Sequence, residues 1–534
     1  MPRILFTSLA LFMGFSGLKS QTNYVSGNIS SNTTWNADTV KITGDVTVGE
    51  GVVLTVNPGT YVEVQGYYRI TVGGSVKAIG TKTDTIVFTA HDITGFWEDT
   101  LSVAGGWAGF NITNTYASAD TSFFEFCKIQ YGKRYGDSGG DIKGGAIFAS
   151  DYGGLIIRNS FINSNMVISY TDLGTGSAGG AVYCKRVNIV NIENNRFEQN
   201  RSFDRGGALF IDPLCQVIIS NNIFKWNRSI GWRFIPGWTF VFGSGGAVGT
   251  SDDTGFSPTI SNNQFFNNRS LNGIIYTSNR HGLIFNNIVC NNSGTGIMDG
   301  HQLSTTRIYN NTIVNNQSDK GGIQLFSTAL VYNNICWGNE LHPGWISDQI
   351  QIGFNIIPSL FYNCVQYGNG GSNSTDKYPE FELPSAGSGL AYDGAASDWT
   401  LKDNSPCVNR GTVDTSGLFV PEFDLIGNPR IYGVSIEMGC YENQSVLTNI
   451  FAEILAEDRT TVYPNPGTDR LNIESVETEA IFELFTMTGQ IVIREQVIMG
   501  WNGLNTESLT SGIYFYRLLN RNKEPVKSGR WIKQ

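Results

Sequence analysis

One hydrophobic–polar pattern recurs through the middle of the chain: an aliphatic residue, then asparagine, an apolar residue and a second asparagine at fixed offsets. The leading column reads Ile156, Ile192, Ile219, Ile260, Ile284, Ile308, Val331. Three residues on come Asn159, Asn195, Asn222, Asn263, Asn287, Asn311, Asn334. Next are Phe161, Phe197, Phe224, Phe265, Val289, Ile313, Cys336, and the closing column is Ser164, Asn200, Asn227, Asn268, Asn292, Asn316, Asn339. The later steps are about 24 residues each, a solenoid repeat length. A glycine column, Gly145, Gly180, Gly207, Gly246, Gly273, Gly296, Gly322, keeps the same register. The runs between are short, β-branched and aromatic, and alternate with period two, which is a strand signature.

A single coil of such strands cannot bury its apolar side, so coils must stack. Parallel stacking sets like residues about 4.8 Å apart. The Ile and Phe columns then become internal ladders. The first Asn column is expected to occupy left-handed corners, with its amides hydrogen-bonded from coil to coil. Val46–Val48, Val53–Val56, Tyr61–Val64 and Ile70–Val72 extend the plan toward the N-terminus without asparagine. The reading is an all-β chain: a right-handed parallel β-helix solenoid over 21–442, a linker over 443–460, and a small β-sandwich over 461–534.

Particular segments carry resemblances. Val56-Asn-Pro-Gly59, Gly74–Gly80, Ile86–Thr89 and Gly106-Trp-Ala-Gly109 resemble the opening turns of secreted bacterial β-helix proteins of the pectate-lyase-like kind. Asn404–Val408, Asp424–Arg430 and Met438–Glu442 resemble their terminal segment. That resemblance implies the fold; such folds host lyases, hydrolases, epimerases and adhesins. Val462-Tyr-Pro-Asn-Pro466, Leu471–Ile473, Phe482–Phe485, Leu509–Tyr516 and the closing Arg530–Gln534 resemble the C-terminal sorting domain of type IX secretion cargo. The family implies that residues 461–534 engage the translocon and sorting machinery, and that the protein is released or attached at the outer-membrane surface.

Residues 1–20 read as a signal peptide for export to the periplasm: Arg3, an apolar run from Ile4 to Gly17, and Leu18-Lys-Ser20 before Gln21. The run is short for a bilayer span, and no transmembrane segment is expected in the mature chain. The net charge of -10 makes nucleic acid an unsuitable partner. The eight cysteines include no C-x-x-C pair and there are only four histidines, so no metal site is expected. Ca²⁺ has no specific motif behind it: Gly136–Asp141 is a lone glycine-rich loop.

Candidate chemistry follows from parity along the glycine strand. Two residues past each glycine the column is apolar and should face inward: Ile147, Val182, Leu209, Val248, Ile275, Met298, with Gln324 the exception. Its neighbours should face out. They form an aromatic strip (Phe148, Tyr183, Phe210, Tyr276) beside polar groups, of which Lys185, Asp212, Asp299 and His301 are candidate acid–base residues. A loop after Ser229 adds Trp232 and Trp238 as further candidate sugar contacts. Asp252-Asp253, His281-Gly282 and Arg307 follow the order of polygalacturonase elements, but the upstream Asn-Thr-Asp element is missing. The leading expectation is a surface or secreted protein that contacts polysaccharide as an adhesin or binding scaffold. A polysaccharide lyase or glycoside hydrolase, and a purely structural stalk, are the alternatives.

Overall fold

The structure is a computed structural model that describes residues 21–444 and 460–534, apart from 101, 115–119, 137–141, 170–175, 230–242, 253–256, 342–347, 413–419, 434, 487–488 and 522–524. The chain divides into two compact units, 1–443 and 444–534. The expected signal peptide, Asp253, Trp232, Trp238 and nearly all of the expected linker fall outside the described residues.

The first unit is a parallel β-helix. Successive coils pair strand on strand, always parallel: Ile147–Arg158 on Val182–Glu193, Phe161–Asn163 on Arg196–Glu198, Met166–Ser169 on Arg201–Ser202. The N-terminal strands obey the same rule, Thr22–Ile29 pairing with Thr39–Val48. Inside, Ile192, Ile219, Ile260, Ile284 and Ile308 form one buried column, and Phe197, Phe224 and Phe265 stack with ring centroids 5.1 and 4.8 Å apart. The ring spacing matches the strand spacing, so each ring lies flat on the next and the column leaves no gap. The glycine column sits where backbone meets backbone: a Cβ on Gly207 would lie 2.1 Å from the Gly246 carbonyl and 2.7 Å from the backbone of Arg228.

The asparagines divide their work differently from the expectation. The left-handed corner is taken by the residue before the repeating asparagine: Asn194, Asn221, Asn262, Asn286, Asn310 and Asn333, with φ between 51 and 58°. The column Asn195, Asn222, Asn263, Asn287, Asn311, Asn334 lies just beyond the corner and forms the amide ladder. In each step Oδ1 of one Asn accepts the backbone N–H and the side-chain amide of the Asn in the coil before, at 2.9–3.1 Å. Asn200, Asn227, Asn268, Asn292, Asn316 and Asn339 build a second ladder at the next corner. A side chain that must point into the ladder needs an extended backbone, and the tight turn is left to its predecessor.

Two register corrections follow. In the first repeat the residues that align are Ile157, Ser160, Ile162 and Asn165, each one later than expected, with Ser160 standing in the ladder for asparagine. Between Arg269 and Gly273 the coil runs four residues where the next runs two, Ser293 to Thr295; Gly273 pairs with Thr295, one residue before the expected Gly296, so Ile297 and Ile323 continue the inward column and Met298 and Gln324 face out. The expected polar interruption of the inward column therefore disappears.

From residue 378 the chain returns along the coils. The corner asparagines hold it: Asn291 Nδ2 donates to the Gly387 carbonyl (2.8 Å), Asn267 to that of Tyr392 (2.7 Å) and Asn310 to that of Glu437 (3.0 Å). All eight cysteines are buried with free thiols. The second unit is a five-stranded antiparallel sheet built on the long hairpin Arg470–Phe485 and Ile491–Asn505. Its core holds Leu471, Ile473, Phe482, Leu484, Val497 and Trp531. Among the described residues no helix is long and apolar enough to cross a membrane.

Candidate functional site

On the glycine strand the outward parity of Phe148, Tyr183, Phe210 and Tyr276 holds, but the exposed strip does not. Phe148, Tyr183 and Phe210 stack in nearly parallel planes, with centroids 5.5 and 6.3 Å apart. Tyr183 and Phe210 are each only 1% exposed and form a satellite core with Ala178. Basic side chains lie over these rings: the Lys143 ammonium is 4.6 Å from the Tyr183 centroid and the Arg205 guanidinium 5.8 Å from that of Phe210. A ring stack on a sheet face buries best when a long cationic side chain covers it. Tyr276 stays half-buried.

The polar candidates fall into two groups. In the first, the Tyr183 hydroxyl donates to Asp212 Oδ2 (2.6 Å) and accepts from Lys143 Nζ (3.1 Å). Burial, reinforced by the Asp212 carboxylate, pushes the Tyr183 phenol far up; burial pulls the Lys143 ammonium down against the opposing pull of Asp212. Lys185 sits half-buried one coil from Asp212, beside the Arg186–Asp151 ion pair. That pair holds the Asp151 carboxyl below its ordinary range through the Arg186 hydrogen bonds.

Asp299 and His301 belong to a second group three coils further on, about 14 Å away at the strand spacing. Asp299 is corrected from outward to inward by the one-residue change of register: it pairs between Thr277 and Leu325 and is fully buried. Its carboxylate accepts from the Ser327 hydroxyl. Burial raises its pKa to about 6, against the hydrogen bonds of Ser327, Ser304 and the His301 backbone. His301 Nδ1 accepts the Leu303 N–H at 3.1 Å. The four candidate acid–base residues therefore do not converge. His281 bonds to Thr305 on an exposed turn. Among the described residues no three of His, Cys, Asp or Glu gather as a metal site.

A groove lies elsewhere on the coils, away from the glycine strand. It encloses about 410 Å³ and is lined by Trp97, Gln199, Arg201, Trp226, Arg228 and Arg269 with neighbouring asparagines and Leu390. Trp97 and Trp226 are 40% and 41% exposed. Trp226 occupies a left-handed corner (φ 59°) that places its ring on the outer edge of the coil. Arg201, Arg228 and Arg269 pair residue on residue in three consecutive coils. The signal was present: each follows a closing-column asparagine in a repeated Asn-Arg-Ser, at 200–202, 227–229 and 268–270.

Residues 461–534 match the model of a secretion system C-terminal sorting domain. The chain carries a type IX sorting tail. That tail implies secretion or attachment at the cell surface, and an interaction with the type IX machinery. No curated protein matches the chain.

Proposed function

We propose that the β-helix is the cargo delivered by this tail, and that it contacts carbohydrate as a surface adhesin or binding scaffold. One observation carries the reading: two half-exposed indoles, Trp97 and Trp226, border one groove whose remaining walls, Leu390 apart, are amides and guanidinium groups. Such a surface suits a sugar, whose C–H face packs on a ring while its hydroxyls meet donors and acceptors at the rim. The enzyme alternative gains no support from the separated acid–base candidates. The test is a glycan array probed with the mature chain and with Trp97→Ala/Trp226→Ala. Both rings are on the surface, so the variant should keep the fold. Loss of an indole is expected to weaken binding roughly tenfold, about 1.4 kcal/mol. Equal binding by both proteins would remove this groove from consideration. Absence of any glycan ligand would favour the stalk.

A further inference from the structure

Arg201, Arg228 and Arg269 differ from the arginines around them. Arg158, Arg186, Arg196 and Arg205, on the same or the adjacent coil, each sit within 4.0 Å of a carboxylate. Among the described residues the three ladder arginines form no ion pair, although the chain as a whole carries a net charge of -10. Nε of Arg201 and of Arg228 is buried without a hydrogen-bond partner. Backbone register sets the three side chains one above the other, about 4.8 Å apart and about 10 Å from first to last.

Like charges in a column repel, and burial without a partner adds a desolvation cost. Both effects lower the Arg201 pKa to about 10, burial first and Arg228 second. Burial and Arg269 act the same way on Arg228. Glutamine or serine at these positions would avoid both costs, and the coil that follows does carry serine, Ser293, in this column. An anion from outside the chain relieves repulsion and desolvation together.

The geometry narrows the anion. A planar carboxylate is matched by the fork of one guanidinium. A tetrahedral oxyanion ester directs three oxygens apart and can bridge two guanidinium groups stacked one coil apart. The ladder's step is close to the advance of one sugar unit, and Trp97 and Trp226 stand beside it. We propose that the Arg201–Arg228–Arg269 ladder is a binding site for tetrahedral oxyanion esters, sulfate or phosphate, carried on a polysaccharide. This rests on the reading that the groove takes carbohydrate.

The test uses the mature full chain and four soluble polymers: dextran sulfate, phosphomannan, polygalacturonate and unmodified dextran. Binding is followed by calorimetry at low and high salt, and by the thermal shift of the wild type, which needs no variant. The expected result is salt-sensitive binding of dextran sulfate or phosphomannan, at least tenfold weaker in Arg201→Gln/Arg228→Gln. The polymer that binds more tightly identifies the ester. The same variant should melt no lower than the wild type, since repulsion is removed; a markedly lower melting temperature would mark the arginines as structural and overturn the site. Equal affinity for polygalacturonate would overturn the tetrahedral assignment. Equal affinity for dextran, unchanged in the variant, would overturn the anion site while leaving the carbohydrate reading intact. No binding of any polymer, with no glycan found on the array, would overturn both.

Discussion

Replacing Asn287 by glycine should cost far more than replacing Asn286, its neighbour, by the same residue. Asn287 Oδ1 accepts the Asn263 backbone N–H at 2.9 Å and the Asn263 side-chain amide at 3.0 Å. Its own Nδ2 donates to the Ile260 and Phe285 carbonyls and to Asn311 Oδ1, each at 2.9 Å. All of these groups are buried. Removing the amide leaves the Asn263 N–H without its acceptor and takes a donor from two interior carbonyls. At about 1–3 kcal/mol for each group left unsatisfied, and with about 0.5–1 kcal/mol for glycine's added freedom, the loss comes to roughly 4 kcal/mol. Asn286 sits at φ 57°, where glycine is at ease, and its amide reaches only Asn262 Oδ1 (2.6 Å) and the Phe423 carbonyl (3.4 Å). Relief of the left-handed penalty, about 1–2 kcal/mol, offsets much of that loss, so the net cost should stay below about 1 kcal/mol. Urea unfolding of the two variants measures the difference, and hydrogen exchange at the Asn263 amide locates it. Equal costs at the two positions, or unchanged protection at Asn263, would refute the ladder as the source of stability.

Three further outcomes are expected. Phe210→Ala should destabilise the protein by roughly 3–5 kcal/mol, as a core ring does, because Phe210 is sealed between Tyr183 and Arg205; a loss under about 1 kcal/mol in urea melts would show that the stack is open to water. Asp299 binds its proton more tightly in the fold than in the unfolded chain, so stability should fall as pH rises from about 4 to about 6 and level off above; the span is on the order of 3 kcal/mol, and Asp299→Asn should flatten the melting-temperature profile over that window. Deleting residues 461–534 should leave the melting of the β-helix unchanged while abolishing surface display, read by protease accessibility on whole cells; normal display would contradict the sorting role.

The architecture was legible because it is periodic. Stacked coils repeat the same demand at each step, so Ile192, Ile219 and Ile260 announce one another, and the tail follows from its own ordered motifs. Register was harder. Gly273 pairs with Thr295 and not with the next glycine, Gly296, and this slip of one residue puts Asp299 in the core and not on the outer face, since strand parity inverts with each one-residue slip. Burial of the aromatic strip was beyond the pattern for another reason. Parity tells which way Tyr183 and Phe210 point, not that Lys143 and Arg205, from neighbouring strand positions, lie over them. The arginine ladder escaped because net charge is a sum. An acidic total conceals three cations that the repeated Asn-Arg-Ser sets in register and the stacking of coils brings side by side.

The doubled asparagines, at 262–263, 286–287, 310–311 and 333–334, have a reason that neither position explains alone. The second member of each pair ties one coil to the next through its amide. The first turns the corner and leaves its side chain outside the coil, free to hold something else. In the later coils that something is the returning chain. Asn310 bonds to Glu437, and Asn333 Oδ1 accepts the Thr412 N–H at 2.9 Å. At the second corner Asn315 and Asn291 hold Ser385 and Gly387 in the same way. In the earlier coils the same second-corner position carries Gln199 and Trp226, which line the groove together with Leu390 of the returning chain. One left-handed position thus serves two ends. Where it holds the returning backbone it is asparagine, because an amide can bind a passing carbonyl or N–H; at Trp226 it carries an indole despite the left-handed penalty of about 1–2 kcal/mol.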